Sequence, residues 1–174
     1  MNLSDKERKR LEFAKISVHV TREPEIEWEG TNISSRALIG HDGFGAARDE
    51  EGRLVKIKHS GTVRIGKNVT IRPFCTVDRG TVEDTVIGEG NSLDHGCHVA
   101  HNVVIGKYNT LAAHCIIEGS CEIGDFNTFG GGVIMQRKTK IGNNNLIGSG
   151  SVITKDFPDN CIIVGNPARL LRYR

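Results

Sequence analysis

From Ile87 to Ile153 every sixth residue is large and apolar, in the order Ile87, Leu93, Val99, Ile105, Leu111, Ile117, Ile123, Phe129, Met135, Ile141, Ile147 and Ile153. A period of six matches neither the 3.6-residue helix nor the two-residue alternation of a strand. It matches a parallel β-solenoid, in which each six-residue strand-and-turn forms one side of a prism. Three sides close a coil of 18 residues, and residues at that spacing stack. Ile87-Gly88, Ile105-Gly106, Ile123-Gly124 and Ile141-Gly142 recur at this interval, as do Asn91, Asn109, Asn127 and Asn145. One face therefore reads Ile-Gly-x-x-Asn. A stack of asparagines in register predicts an amide ladder, each side chain bonded to the next.

The fifth residue of each hexad is small or compact, as at Val69, Cys75, Cys97, Val103, Cys115, Cys121, Val133 and Ser151. Such residues are expected to point inward, where a narrow prism leaves little room. Cys75, Cys97, Cys115 and Cys121 then act as small buried hydrophobes, and an odd cysteine count argues against a disulfide framework. Cys161 falls outside the series and receives no role. Aromatic residues make up only 5% of the chain, which suits a thin core. A formal charge of +2 makes no case for nucleic acid or a membrane surface. No apolar run is long enough to span a bilayer, and no signal peptide is evident. The expectation is one cytoplasmic domain.

Residues 1–32 read as an N-terminal arm. Within it, residues 4–16 are predicted to form a short helix opened by the capping box Ser4-Asp5-Lys6-Glu7. Glu23-Pro24-Glu25 breaks any helix, and Trp28 is placed against the first coil. The repeat occupies residues 33–155. It begins at Ile33 and Ile39, is interrupted by an excursion over 41–62, resumes at Ile65, Ile71 and Val77, and breaks again within 78–86. Loops on solenoids gather at binding faces, so both excursions are candidate site walls. Residues 156–174 leave the repeat and are predicted to cap the open end, where the last coil exposes unpaired strand edges.

These hexads resemble those of the hexapeptide-repeat acyltransferase superfamily. The resemblance implies an all-β fold, a left-handed parallel β-helix, and a homotrimer with active sites in the clefts between prisms. Over residues 39–106 a narrower likeness emerges. Ile39-Gly40-His41-Asp42-Gly43-Phe44-Gly45, Val77-Asp78-Arg79-Gly80 and Val99-Ala100-His101-Asn102-Val103 are similar to the UDP-3-O-acylglucosamine N-acyltransferases of lipid A synthesis. In that family the histidine of the Ala-His-Asn motif is the general base, which implies that role for His101. Asp42 and Phe44 match a loop that walls the family's acceptor site. A second family histidine falls at Lys138. The family also carries a large uridine-binding domain where this chain has about thirty residues. The ending Val164-Gly165-Asn166-Pro167-Ala168-Arg169 resembles the acetyl-CoA-dependent sugar acetyltransferases instead.

Acyl transfer from a thioester needs a base for the proton of the attacking amine or hydroxyl, and imidazole suits that task. The tetrahedral intermediate needs a donor for its oxyanion, commonly a backbone N–H. Stepping from His101 by the coil length gives Gly119, Arg137 and Lys155. This column should follow one corner at roughly 4.8 Å per rung, about 14 Å in all. Gly119 would supply an oxyanion amide or leave room for the thioester. Arg137, Lys138, Lys155 and Arg169 would meet the donor's phosphates. His98 and His114 are candidates to orient substrate or His101. Asp78 and Arg79 head the second loop, where they would hold sugar hydroxyls or lock a trimer contact. His41, His59 and His19 receive no role.

The leading expectation is acetyl-CoA-dependent acylation of an amino group on a nucleotide-linked sugar, with no metal. A lipid A-type enzyme drawing a hydroxyacyl group from acyl carrier protein is the nearest alternative. A γ-type carbonic anhydrase remains open because His95, His98, His101 and His114 cluster in sequence. A non-catalytic trimeric scaffold is the third reading.

Overall fold

The computed structural model describes residues 22–174. The helix expected at 4–16 and His19 lie outside them. Short parallel strands, most only two residues long, stack into three sheets that form the sides of a prism. The first face climbs from Glu25–Ile26 to Lys140–Ile141. The second starts at Asn32–Ile33, and the third runs from Leu38–Asp42 to Val152–Ile153. The 18-residue register holds on all three: Ile105 pairs with Ile123, Leu111 with Phe129, and Ile117 with Met135. The fold is a left-handed parallel β-helix.

Each hexad spends two residues on strand and four on a corner. In the strand pair the first side chain points out and the second is buried, which is why the six-residue apolar series forms the core. Burying one such leucine or isoleucine contributes about 1.5–3 kcal/mol. Each full corner turns through one residue with positive φ. Asn68, Gly90, Tyr108, Phe126 and Asn144 do so along one edge, with φ between 55° and 71°. Asn102, Ser120 and Lys138 do so along the edge that carries His101. Asparagine and glycine adopt this conformation readily, and bulky residues do not. Tyr108 and Phe126 stack at 5.3 Å, which offsets part of their backbone strain.

The asparagine column differs from the expected amide ladder. Asn91 Oδ1 accepts from the Asn109 backbone N–H, Asn109 Oδ1 from that of Asn127, and Asn127 Oδ1 from that of Asn145. The Nδ2 groups donate mainly to corner carbonyls, such as Gly124 for Asn109 and Gly142 for Asn127. One amide-to-amide bond joins Asn127 to Asn109, at 3.0 Å. The column therefore satisfies buried backbone rather than chaining side chains, because a turning corner leaves N–H and C=O groups that the sheets cannot pair. Cys161 takes the next place in this column, its N–H donating to Asn145 Oδ1 at 2.7 Å. All five cysteines are buried free thiols.

The coil extends past both expected ends. Glu25–Ile26 already pairs in parallel with Val63–Ile65. At the far end Phe157 bridges Ile141, and Ile163 pairs in parallel with Ile147. Arg169–Tyr173 then runs antiparallel to Cys161–Val164, with its residues exposed. Trp28 is exposed rather than packed on the first coil. The first excursion contains an antiparallel hairpin, Ala46–Arg48 with Leu54–Lys56. The second is a tight loop held by Asp84, whose carboxylate accepts from the Thr62 N–H at 2.9 Å and Arg64 Nε at 2.7 Å. Among the described residues no helix is long and apolar enough to cross a membrane.

Candidate active site

Both excursions and the corner that carries His101 border one cleft of about 1410 Å³. His101 sits where the third face turns into the first. Its Nδ1 lies 2.9 Å from Asn102 Oδ1. The amide orientation follows from its other bonds. Oδ1 accepts from the Thr81 N–H and hydroxyl, and Nδ2 donates to the Glu83 carbonyl. Asn102 thus offers His101 only an acceptor, which in the neutral ring places the proton on Nδ1 and the lone pair on Nε2. The Asn102 backbone N–H is itself held by Thr85 Oγ1 at 2.9 Å.

Gly119 lies one rung beyond His101. A Cβ there would come within 2.8 Å of His101 Cε1 and 2.9 Å of Nε2, so the imidazole occupies the space a side chain would need. The corner bonds run from Ser120 N–H to the His101 carbonyl and from Lys138 N–H to the Gly119 carbonyl. The Gly119 N–H takes no part in them. Arg137 and Lys138 line the same cleft one rung further on.

Asp78 and His98 also open onto this cleft. The Asp78 side chain is only 13% exposed, and its Oδ2 lies 3.9 Å from His98 Nε2. Burial pushes its carboxyl above the usual carboxylate range, and the surrounding His98, His101, His59 and His41 offset this in part. His98 Nδ1 is engaged by Thr76 Oγ1 at 2.6 Å. Phe44, 92% exposed, forms an apolar lip with Leu54 and Val82.

Other expected site residues lie elsewhere. Arg79 is buried behind the cleft, its Nε donating to the Gly40 carbonyl, and with Asp42, His41 and Lys56 it lines a separate hollow of about 450 Å³. Lys155 Nζ sits over the Phe157 ring, and Arg169 donates to the Ala168 carbonyl. His114 packs over Gly96 on a different corner, and His95 is paired with Asp94. The four histidines that cluster in sequence are therefore split, with only His98 and His101 in the cleft. Among the described residues no three His, Cys, Asp or Glu side chains converge to hold a metal ion.

Sequence reading overlooked His59. It is 2% exposed and meets His101 edge-on, with ring centroids 5.5 Å apart. Its Nδ1–H donates to the Ile57 carbonyl, and its Nε2 has no partner among the described residues. Burial pulls its pKa below the usual imidazole value. Glu83, Glu118 and Glu122 on the cleft wall were also missed. Glu118 and Glu122 occupy corner and outward positions, to which a hexad pattern assigns no identity, and Glu83 lies in the second excursion.

Residues 84–119 match the model of the family described as bacterial transferase hexapeptide (six repeats). A UDP-3-O-acylglucosamine N-acyltransferase of Coxiella burnetii is 51% identical over 71 residues, 41% of this chain and 21% of that protein. The enzyme of the same name from Maricaulis maris is 43% identical over 89 residues, 51% of this chain and 26% of that protein. A solved UDP-N-acetylglucosamine acyltransferase superposes with a TM-score of 0.74 at 28% identity, covering 84% of this chain and 57% of that one. The matches thus span about a quarter or less of the curated relatives. Repeat, matching segment and fold together support the hexapeptide-repeat acyltransferase superfamily.

Proposed function

We propose that this chain transfers an acyl group from a thioester, acetyl-CoA in the leading form, to the amino group of a nucleotide-linked sugar. The observation that carries the reading is the orientation of His101. With Nδ1–H bonded to Asn102, Nε2 is left as the proton acceptor, beside Gly119 in a ring that lines the cleft. The amine nitrogen attacks the thioester carbon, and a C–N bond forms as one N–H proton passes to His101 Nε2. The Gly119 N–H, which takes no part in the corner bonds, would donate to the oxyanion. Collapse breaks the C–S bond, and the departing thiolate takes the proton back from His101. The products are an amide and a free thiol. Arg137 and Lys138 are positioned to meet donor phosphates. The open cleft is consistent with a homotrimer, in which a neighbouring prism would supply the missing wall, acting on soluble cytoplasmic substrates.

A second reading draws on the apolar lip of Phe44, Leu54 and Val82. Such a wall suits a longer hydroxyacyl chain delivered by acyl carrier protein, as in the lipid A-type alternative. Thiol release should be measured with acetyl-CoA and with hydroxyacyl carrier protein across UDP- and dTDP-linked amino sugars. The expected result is turnover that falls roughly 10²-fold or more in His101→Ala. Full activity in that variant would overturn the mechanism. Consumption of the carrier protein alone would select the second reading.

A further inference from the structure

Asp78 is a nearly buried carboxylate without a hydrogen-bond donor. The imidazoles of His98, His101, His59 and His41 lie around it, and none donates a hydrogen bond to it. The His101 Nδ1–H goes to Asn102 and the His59 Nδ1–H to Ile57. His98 Nε2 remains at 3.9 Å, beyond hydrogen-bond reach. Among the described residues no N–H or O–H satisfies the carboxylate, and its open side faces the cleft. A donor bound in the cleft would take the place of solvent on these oxygens.

That open side is shared with His101. The point where a Gly43 Cβ would lie is 2.8 Å from Asp78 Oδ2 and 3.2 Å from His101 Cδ2. Only glycine lets the backbone pass this close to both side chains. The Asp78 carboxylate and the His101 ring are therefore neighbours on the wall of one cleft.

We infer that Asp78 selects an amine over a hydroxyl as the acceptor, by accepting a second N–H from the attacking nitrogen. The inference rests on the acyl-transfer reading above and deepens it. A neutral amine carries two N–H bonds: one donates to Asp78, the other points its proton at His101, and the lone pair attacks the thioester carbon. A hydroxyl has one proton and can satisfy one acceptor only, which leaves Asp78 unpaired beside the developing charge. The carboxylate also draws in the ammonium form, which sheds one proton to solvent before attack.

The test uses acceptor pairs that differ only at the nucleophile: UDP-glucosamine with UDP-glucose, and a dTDP-linked 4-amino-4,6-dideoxyglucose with its 4-hydroxyl counterpart. Acylated product is followed by mass spectrometry for the intact protein and for Asp78→Asn, a near-isosteric change whose folding is checked by thermal melting. The native protein should prefer the amine by roughly a hundredfold. Asp78→Asn should reduce that preference at least about tenfold, mainly through KM for the amine. Equal use of both acceptors, or an equal loss for both in Asp78→Asn, would overturn the inference while leaving acyl transfer standing. Acylation of neither member of either pair, with either donor, would overturn the acyl-transfer reading and this inference with it.

Discussion

At the scale of the residue, Gly119 is where packing and chemistry come closest. Its backbone φ is not in the left-handed region, so alanine fits the main chain. The added methyl would press on the His101 ring at 2.8 Å and 2.9 Å. Gly119→Ala should therefore lower turnover roughly 10- to 100-fold by displacing the imidazole, with a melting temperature close to the native one. Steady-state kinetics beside a thermal melt would check this, and unchanged turnover would mean that the ring moves freely. His101 and Gly119 were readable from a motif and an 18-residue step. Asn102 stood in the same motif, but its part became visible only with Thr81 and Glu83 bonded around it. His59 left no signal, because its contact with His101 arises when the first excursion folds back, and no period reports that.

At the scale of the element, the second excursion depends on one carboxylate. Asp84 accepts from Thr62, Arg64 and Arg22, tying the loop to the first face. Burial alone would raise its pKa, but the Thr62 N–H and the two guanidiniums outweigh burial and hold the carboxyl below its usual range. The folded value lies below the unfolded one, near 3.9. The stabilisation is therefore complete above the unfolded value and fades as pH falls through the folded one. Asp84→Asn should cost about 1–3 kcal/mol at neutral pH, and the difference from the native chain should shrink below about pH 4. Urea melts at pH 7 and pH 3.5 would show it; an equal gap at both would rule out the charge. The hexad series made the strands legible, since each buried position repeats. The hairpin and the exact ends of the coil were not legible. Strand pairing at Glu25–Ile26 and Cys161–Val164 depends on backbone hydrogen bonds across breaks in the spacing, the second in a 16-residue step.

At the scale of the whole molecule, the three faces stack the same short rung again and again. The final strand, Arg169–Tyr173, reverses direction against Cys161–Val164. Removing residues 169–174 should leave the proposed acyl transfer largely in place yet cause the protein to assemble into larger species. Light scattering at rising concentration would detect them, and a truncated chain that stayed at its native size would refute the expectation. The reversed strand closes the second face only, and there it is expected to work as a chain terminator. Parallel rungs can template further parallel rungs from another copy, as fibrils grow, but a strand of opposite polarity offers the wrong pattern of donors and acceptors for that growth to continue.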